Sequence, residues 1–285
     1  MKKIIRSLIN NGVLTTLARI WTEVVHPLIP HFSTFRNAIE GKKGIEVGGP
    51  SYLFSSKGFL PVYRYVAALD NVNFGNETIW EGTLVDGGTF RFEGNREGRQ
   101  YVREASNLTG LRDSAYDFLI SSHVLEHCAN PIKALLEWKR VVCPDGHLIL
   151  VVPHKEGTFD RKRKTTEFNH LLQDYANSIE ENDLTHAEEF IRDFDFSMHD
   201  DEDRENFRKD ILNNLENRRM HHHVFTSPLV VKLVDHCGFQ IVAVTARLPG
   251  HIVVLARKCS PIDNSNFLKA SPKYCRKSPF KTDQE

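Results

Sequence analysis

Residues 43–51 have the sequence KGIEVGGPS, and the interpretation of the whole chain starts from this stretch. Ile45 and Val47 are strand-forming β-branched residues, and two glycines follow where the backbone must turn tightly or approach a ligand closely. This pattern is typical of the first strand of an open α/β sheet, in which ligands bind beyond the carboxyl ends of the strands. We therefore expect Glu46 and Gly48 at the mouth of a ligand crevice.

Length and composition predict one main α/β domain that carries an additional segment. The 285 residues are 40% hydrophobic, which is enough for a full core. The 37 Lys and Arg residues balance 37 Asp and Glu residues, so the chain lacks the basic field that drives binding to nucleic acid. Five cysteines are scattered without close pairing, which argues against a secreted disulfide framework and favours a cytoplasmic location.

The first 42 residues predict a helical segment ahead of the domain. Apolar residues between positions 4 and 25 recur on one side of a helix, but polar residues interrupt them, so neither a signal peptide nor a transmembrane span is expected. The amphipathic helix either docks on the domain or contacts a membrane surface.

The pattern of residues 43–258 predicts a Rossmann-like, doubly wound, mostly parallel seven-stranded sheet with an antiparallel last strand. A helix that starts at Asn130 and Pro131 and runs through Val142 links the fourth and fifth strands, which predicts a parallel pair with a right-handed crossover. The last two strands are separated by a short turn and should pair antiparallel. The strands after the first are expected at 62–70, 101–105, 116–123, 147–153, 240–245 and 252–256.

Residues 154 to about 222 interrupt this alternation and predict a helical insertion between the fifth and sixth strands, lying over the crevice as a cover. Helices are expected over 168–179, after a capping box that begins at Thr185, and over 207–215. Residues 259–285 are polar and basic, and they predict a tail of weak or no order.

Asp70 is expected at the end of the second strand, 21 positions after Gly49. A nucleoside site uses this spacing, because an acid at the tip of the second strand accepts hydrogen bonds from both ribose hydroxyls. The sequence therefore predicts a nucleoside lying across the tips of the first two strands.

These features resemble a class I S-adenosylmethionine-dependent methyltransferase, in the small-molecule branch that carries Leu-Glu-His after the fourth strand. The resemblance rests on IEVGGPS at 45–51 and SSHVLEH at 121–127, and it covers about residues 43–153 and, more loosely, 224–258. It implies S-adenosyl-L-methionine as the cofactor and methyl transfer as the activity. The cofactor-binding residues that it implies are Glu46, Gly48, Gly49, Asp70, Asn71, Glu104, Ala105, Ser121 and Ser122.

The glycine turn departs from the family's pattern of E/D-x-G-x-G-x-G, because Pro50 and Tyr52 occupy the second and third glycine positions. Pro50 leaves one backbone amide fewer near the methionine carboxylate. A NAD-type G-x-G-x-x-G fits less well still, since Leu53 occupies its last glycine, and this argues against a dehydrogenase.

Methyl transfer from a sulfonium is a direct displacement, so the protein mainly positions the reactants, but an oxygen acceptor also needs a base. Histidine suits this role near neutral pH. The candidate bases are His154, His222 and His123, and His154 is the first choice because the tip of the fifth strand should lie near the acceptor. The alternative to a catalytic role for His123 is a packing role at the end of its strand. The alternative for the run 221–223 is an exposed junction.

His154, Asp160 and His186, together with the run 221–223, could also form a divalent-metal site for a diol acceptor. No close ligand spacing supports this arrangement, and no metal is predicted. The expected function is methyl transfer to a small-molecule or saccharide acceptor, at oxygen, without a nucleic-acid partner. The alternative is a non-catalytic protein that binds S-adenosylmethionine and serves as a partner or regulatory subunit.

Overall fold

A computed structural model describes residue 17 and residues 27–78, 81–198 and 204–285. Apart from Leu17, the amphipathic helix predicted between positions 4 and 25 lies outside the described residues. In the part of the chain that is described, no helix is long and apolar enough to cross a membrane.

The fold is built on an eight-stranded, mostly parallel sheet with the order β5-β6-β2-β1-β7-β8-β10-β9. The five strands from β6 to β8 in this order run parallel, whereas β10 is antiparallel to β8 and β9, and β5 is antiparallel to β6. The predicted Rossmann-like sheet is therefore confirmed, with β5 as an additional edge strand. The strands are β1 Lys43–Val47, β2 Ala68–Asn73, β5 Thr89–Glu93, β6 Arg96–Val102, β7 Tyr116–Ser122, β8 Val142–Pro153, β9 Gln240–Arg247 and β10 His251–Arg257, and a separate hairpin contains β3 Glu77–Thr78 and β4 Gly82–Thr83.

Helices cover both faces of the sheet and form the insertion. Between β7 and β8 a helix starts as predicted, because the Asn130 side chain accepts a hydrogen bond from the Lys133 amide at 3.0 Å and Pro131 occupies the first turn. The helices are α1 Phe32–Ile39, α2 Pro131–Val141, α3 Phe168–Ala176, α4 Ala187–Asp193, α5 Arg204–Leu212, α6 Asn214–Asn217, α7 Ser227–His236, α8 Ser265–Leu268 and α9 Lys273–Arg276.

The central strand β8 shows why both faces of the sheet are buried. Its side chains alternate between two apolar clusters, with Leu148 and Leu150 facing α2 and α7, and Ile149 and Val151 facing α1 and the segment 53–66. A strand covered on both sides reads as a continuous apolar run, which is the pattern that the sequence shows here.

The second strand is shifted from its predicted position. Residues Tyr63–Tyr65 form a 3₁₀ turn, and β2 begins only at Ala68 and ends at Asn73. Its register pairs Asp70 with Ile45, so Asp70 lies inside the strand rather than at its tip. The β-branched and aromatic residues at 62–66, ahead of β2, pack in the core instead of pairing in the sheet, because strand propensity depends on context.

Two smaller predictions are also wrong. The third core strand, β6, ends at Val102 and lies mostly before the predicted 101–105. Thr185 does not cap α4: its hydroxyl donates to Asp183 Oδ2 at 2.6 Å, and the helix begins at Ala187. The helical insertion itself is present between β8 and β9, and it has its own apolar cluster that includes Phe190, Phe194, Phe207, Ile211 and Met220.

The segment 259–285 is folded against the domain, contrary to the tail that its polarity predicts. Asp283 is buried, and its carboxylate accepts hydrogen bonds from the Ser227 amide at 2.8 Å, the Ser227 hydroxyl at 2.6 Å and the Ser278 hydroxyl at 2.6 Å. His154 Nε2 lies 3.1 Å from the same carboxylate. The buried Asp283 carboxylate at the N-terminus of α7 therefore holds residues 259–285 against the domain, although their polar composition is typical of a disordered tail.

Replacing Asp283 by alanine is expected to lower the free energy of unfolding by about 3 kcal/mol, because several buried donors lose their acceptor. Urea denaturation of the full chain measures the change. Glu285→Gln removes an exposed carboxylate from the same segment and should leave the stability within about 0.5 kcal/mol. Equal stability of Asp283→Ala and Glu285→Gln would contradict the anchoring role.

Candidate functional site

A cavity of about 690 Å³ opens beyond the carboxyl ends of β1, β2, β6 and β7, between the sheet and the helical insertion. This volume is in the range of small-molecule sites, and the position is where an open α/β sheet binds its ligands. The sheet side contributes Gly48, Asn73, Glu104, Ala105, Ser122 and His123, and the insertion contributes Phe159, Phe190, Phe194, Phe207 and His221.

The glycine turn after β1 forms one wall of the cavity. Gly48 has a φ of +81°, and a Cβ atom built on it would lie 2.2 Å from Val124 Cγ2. The turn is held from beneath by Asn71, whose Oδ1 accepts from the Gly49 amide and whose Nδ2 donates to the Gly49 carbonyl, both at 3.0 Å. Asn71 and Gly49 therefore shape the wall, whereas Gly48 lines the cavity.

Glu46 also supports the turn rather than facing the cavity. Its side chain is fully buried and accepts hydrogen bonds from the Tyr63 hydroxyl at 2.7 Å and the Ser51 amide at 3.1 Å. Burial raises the pKa of Glu46 to about 8, and these two hydrogen bonds only partly oppose the rise. A Cβ atom on Gly49 would lie 2.2 Å from the Glu46 carboxyl carbon, so the second glycine makes room for this carboxyl group.

The raised pKa of Glu46 predicts a pH-dependent stability. Because the folded value of about 8 lies above the ordinary 4.5, the folded state holds the proton more tightly. This contribution to the free energy of unfolding is fully present below pH 4.5 and is lost as the pH rises through 8, by about 5 kcal/mol in total.

Urea denaturation from pH 5 to 8.5 measures this dependence, and we expect Glu46→Gln to fall less steeply with pH than the wild type. Glu77→Gln, which changes an exposed carboxylate, should keep the slope of the wild type. If Glu46→Gln keeps that slope too, Glu46 is ionised across the whole range and the expectation is wrong.

Asp70 does not line the cavity, and its prediction as the ribose-binding acid is corrected by the structure. Its carboxylate accepts from the Tyr116 hydroxyl at 2.9 Å and the Arg99 amide at 2.9 Å, with Lys43 Nζ at 3.4 Å. Because β2 continues for three residues beyond Asp70, the polar side chain at its tip is Asn73, which does line the cavity.

The other predicted cofactor residues divide into those that line the cavity and those that support it. Glu104, Ala105 and Ser122 line the cavity together with Gly48. Ser121 points into the sheet, where its hydroxyl donates to the Val47 carbonyl at 3.1 Å and joins β7 to β1.

Two of the three predicted bases lie outside the cavity, and this is a correction. His154 is fully buried, with its ring stacked on Phe280 at 3.9 Å and its Nε2 beside Asp283. His222 is also buried, with Nε2 3.2 Å from Asn214 Nδ2, and burial lowers its pKa to about 3. Contacts with Phe280 and Asp283 hold His154 outside the cavity, and the contact with Asn214 holds His222 outside it.

His123 lines the cavity as predicted. It has a φ of +55°, its Nε2 lies 2.9 Å from His251 Nδ1, and its Nδ1 lies 3.4 Å from Glu126 Oε1. The contact with His251 orients the ring of His123 at the cavity.

Asp160 and His221 form a buried pair on the insertion side of the cavity. Asp160 Oδ2 lies 2.6 Å from His221 Nδ1, and Asp160 Oδ1 accepts from Arg163 Nη1 at 2.8 Å. Arg163 Nη1 also donates to the His221 carbonyl at 2.9 Å, so one buried guanidinium holds both partners. His221 lines the cavity, and Asp160 lies behind it.

The Asp160 carboxylate fixes the protonation of this pair. Burial alone would raise the pKa of Asp160, but His221 and Arg163 outweigh that effect and lower it to about 2. The ionised carboxylate accepts the Nδ1 proton of His221 and leaves Nε2 as the basic nitrogen. This is the arrangement of an oriented general base.

Glu126 places a negative charge next to the same histidine. Burial alone would raise its pKa, but His123, His127 and His221 outweigh that effect and lower it. One ligand atom each of Glu126, His127 and His221 lies within 4.8 Å of the other two, so these residues could hold a cation or exchange protons. His127 Nδ1 lies 3.1 Å from the Met220 carbonyl, and burial lowers the pKa of His127 to about 4.

The sequence does not single out His221 within the run 221–223, because alternation of side chains along an extended backbone allows either His222 alone or His221 and His223 together to face the cavity. The partner Asp160 also lacks a local signal, because it precedes His221 by 61 residues and meets it only through the folded insertion.

Residues 89–150 match the family described as a methyltransferase domain, and they include β7, α2 and most of β8. This match indicates a methyltransferase domain over less than a quarter of the chain. No curated protein matches the sequence.

Solved structures with a similar fold include a SAM-dependent methyltransferase from Methanosarcina mazei, with 18% identity over 83% of this chain and 100% of that chain, and a TM-score of 0.45. A SAM-dependent methyltransferase from Aquifex aeolicus has 14% identity over 90% of this chain and 98% of that chain, and a TM-score of 0.42. The Burkholderia thailandensis 1,6-didemethyltoxoflavin-N1-methyltransferase, solved with its substrate and S-adenosylhomocysteine, has 12% identity over 90% of this chain and 86% of that chain, and a TM-score of 0.43. Values this low do not establish a shared activity.

Proposed function

We propose that this chain transfers a methyl group from S-adenosylmethionine to an oxygen atom of a small-molecule or saccharide acceptor. The observation that carries the proposal is that one cavity joins a glycine turn of the nucleoside-binding type, at Gly48, to the buried Asp160–His221 pair. The match of residues 89–150 to a methyltransferase domain supports the same reaction class.

The residues around the cavity fit the proposed cofactor. Gly48 leaves the space that a side chain would fill, and the Asn73 amide, whose Oδ1 accepts from Asn71 Nδ2 at 2.8 Å, lies at the tip of β2 beside the cavity. Glu81, Glu104 and Glu126 line the cavity together with Arg103, Arg218 and Arg219, and Arg218 pairs with Glu104, so charged side chains of both signs are present for the sulfonium, ammonium and carboxylate groups of the cofactor. Gly48, Asn73, Glu104, Ala105 and Ser122 are the residues that would hold it.

When bound, S-adenosylmethionine supplies an activated methyl group on a sulfonium. The protein must then orient the acceptor and remove the proton of its hydroxyl group. His221 Nε2 accepts that proton, and the Asp160 carboxylate stabilises the imidazolium ion that forms. A positioned base of this kind contributes about 100- to 10,000-fold to the rate.

Four phenylalanines line the insertion side of the cavity, namely Phe159, Phe190, Phe194 and Phe207. They exclude water from the reacting groups and offer flat apolar faces, which supports an acceptor with a ring that can stack on them. Glu181, Arg218 and Arg219 line the same side with charged groups, which supports polar substituents on that ring.

The alternative function is a non-catalytic S-adenosylmethionine-binding partner. An ordinary binding module has no need for an oriented Asp–His pair in the cavity, and this pair favours catalysis. Binding titrations with S-adenosylmethionine, S-adenosylhomocysteine and NAD test the cofactor site, and we expect tight binding of the first two alone.

Incubation of the full chain with methyl-labelled S-adenosylmethionine and a panel of hydroxylated aromatic compounds and saccharides tests catalysis. We expect labelled product and stoichiometric S-adenosylhomocysteine. Binding of S-adenosylmethionine without transfer to any acceptor would favour the regulatory alternative, and a lack of binding would overturn both functions.

A further inference from the structure

A second histidine cluster lies in the insertion, outside the cavity. His170 belongs to α3, His186 precedes α4, and His223 is the last residue of the run 221–223. One ring nitrogen of each histidine lies within 4.8 Å of the other two, and the Nε2 atoms of His170 and His186 are 2.9 Å apart. None of the three lines the cavity, and the proposed methyl transfer gives them no role.

Two contacts around the cluster orient its rings. His186 Nδ1 lies 3.7 Å from Glu189 Oε2, so its other nitrogen, Nε2, faces His170. His223 Nε2 lies 3.3 Å from the Ala129 carbonyl, which can only accept, so the proton of this ring is on Nε2. Histidines that bind a metal usually donate their second ring nitrogen to a carboxylate or a carbonyl in this way.

The buried imidazole of His223 has an unused lone pair. Its residue is 1% exposed, and its Nδ1 has no hydrogen-bond partner among residues 27–78, 81–198 and 204–285. A neutral imidazole without a partner is costly in a protein interior unless something binds it.

A carboxylate oxygen of Asp174 lies beside this histidine cluster. Its Oδ2 lies 3.4 Å from His170 Nε2 and 3.7 Å from His223 Nε2, and it is buried without a hydrogen-bond donor in the described part of the chain. His170 and Asp174 are four residues apart on α3, so one face of this helix presents both side chains.

We propose that His170, His186 and His223 bind one divalent transition-metal ion beside the Asp174 carboxylate, and that this ion is Zn²⁺. Imidazole nitrogens suit zinc, and three of them leave one position of a four-coordinate shell for the adjacent carboxylate or a water molecule. The ion would join α3, the start of α4 and the segment before α7, and so stabilise the helical insertion that covers the cavity. The proposal does not depend on the methyltransferase activity.

Metal analysis of the full chain, expressed without a polyhistidine tag, tests this proposal. We expect about one zinc ion per chain, and after removal of the ion by a chelator we expect titration with Zn²⁺ to restore the occupancy and raise the Tm. Titration of the metal-free protein with Co²⁺ should give the strong visible absorption of a four-coordinate site.

Two variants and one control connect the ion to this cluster. His170→Gln and His186→Gln remove one ligand each at partly exposed positions, and each should weaken zinc binding by about 100-fold or more. His236→Gln changes an exposed histidine outside the cluster and should bind zinc like the wild type.

Zinc binding by His170→Gln and His186→Gln with the affinity of the wild type would overturn the assignment. So would a wild-type chain that neither retains zinc nor shows a change in Tm when Zn²⁺ is added, and this measurement decides the matter even where a variant does not fold. Loss of methyl transfer alone leaves the zinc titration unchanged, so the two proposals fail separately.

Discussion

Replacing His221 by asparagine is expected to lower kcat for methyl transfer by about 100- to 10,000-fold, while the Kd for S-adenosylmethionine changes by less than about threefold. Asparagine retains a polar side chain next to the Asp160 carboxylate but has no basic nitrogen to accept the acceptor's proton. The loss should therefore fall on the chemical step rather than on cofactor binding.

Labelled-methyl transfer measures kcat, and a calorimetric titration measures the Kd for S-adenosylmethionine. His222→Asn, in the same histidine run, is the matched control, because His222 faces Asn214 rather than the cavity. We expect this control to retain its activity within about threefold, with a lower thermal stability. If His222→Asn loses activity and His221→Asn does not, the base has been assigned to the wrong histidine.

Local sequence patterns were sufficient to predict the central part of the fold. The strand β1, the strand β7, the helix α2 and the strand β8 were predicted within a few residues, because each has a strong period or a clear start such as Asn130 and Pro131. These elements also position the glycine turn and the end of β7, so Gly48, Ser122 and His123 were predicted on the correct edge of the sheet.

The errors arise where a long-range partner determines the structure. Residues 62–66 have the composition of a strand, but Tyr63 is needed beneath the glycine turn to donate to Glu46, and β2 starts later as a result. His154 has the expected position after β8, but Asp283, 129 residues away, holds its ring outside the cavity. The pattern of neighbouring residues in the sequence does not indicate a partner that lies this far away along the chain.

The same limit explains why spacing alone predicts neither the Asp160–His221 pair nor the three histidines of the proposed zinc site. His170, His186 and His223 are 16 and 37 residues apart, which is far from the close ligand spacing of a zinc finger. They meet because the insertion folds back on the sheet through α3, α4 and the segment before α7. The sequence offers a divalent-metal site of His154, Asp160, His186 and the run 221–223, and of these His186 and His223 belong to the proposed zinc site, whereas His154 lies beside Asp283 and Asp160 pairs with His221.

The second large effect is expected at the glycine turn, where Gly48→Ala should weaken S-adenosylmethionine binding by about 100-fold, equivalent to about 3 kcal/mol. Gly48 has a φ of +81°, and its new Cβ would lie 2.2 Å from Val124 Cγ2. The backbone strain and the overlap can be relieved only by movement of the turn or of the segment after β7, and both line the cavity. The substitution therefore displaces two walls of the proposed cofactor site together.

Gly41→Ala separates the steric effect from the backbone strain. Gly41 has a similar φ of +70°, but among the described residues no heavy atom other than those of its chain neighbours lies within 4 Å of the position of its Cβ. Alanine there should cost about 1 kcal/mol of stability and leave the affinity for S-adenosylmethionine unchanged. Calorimetric titration of both variants measures the difference, because only Gly48→Ala moves the cavity wall. Equal affinities in the two variants would mean that the turn after β1 does not contact the cofactor, and the nucleoside end of the cavity would then have to be sought elsewhere.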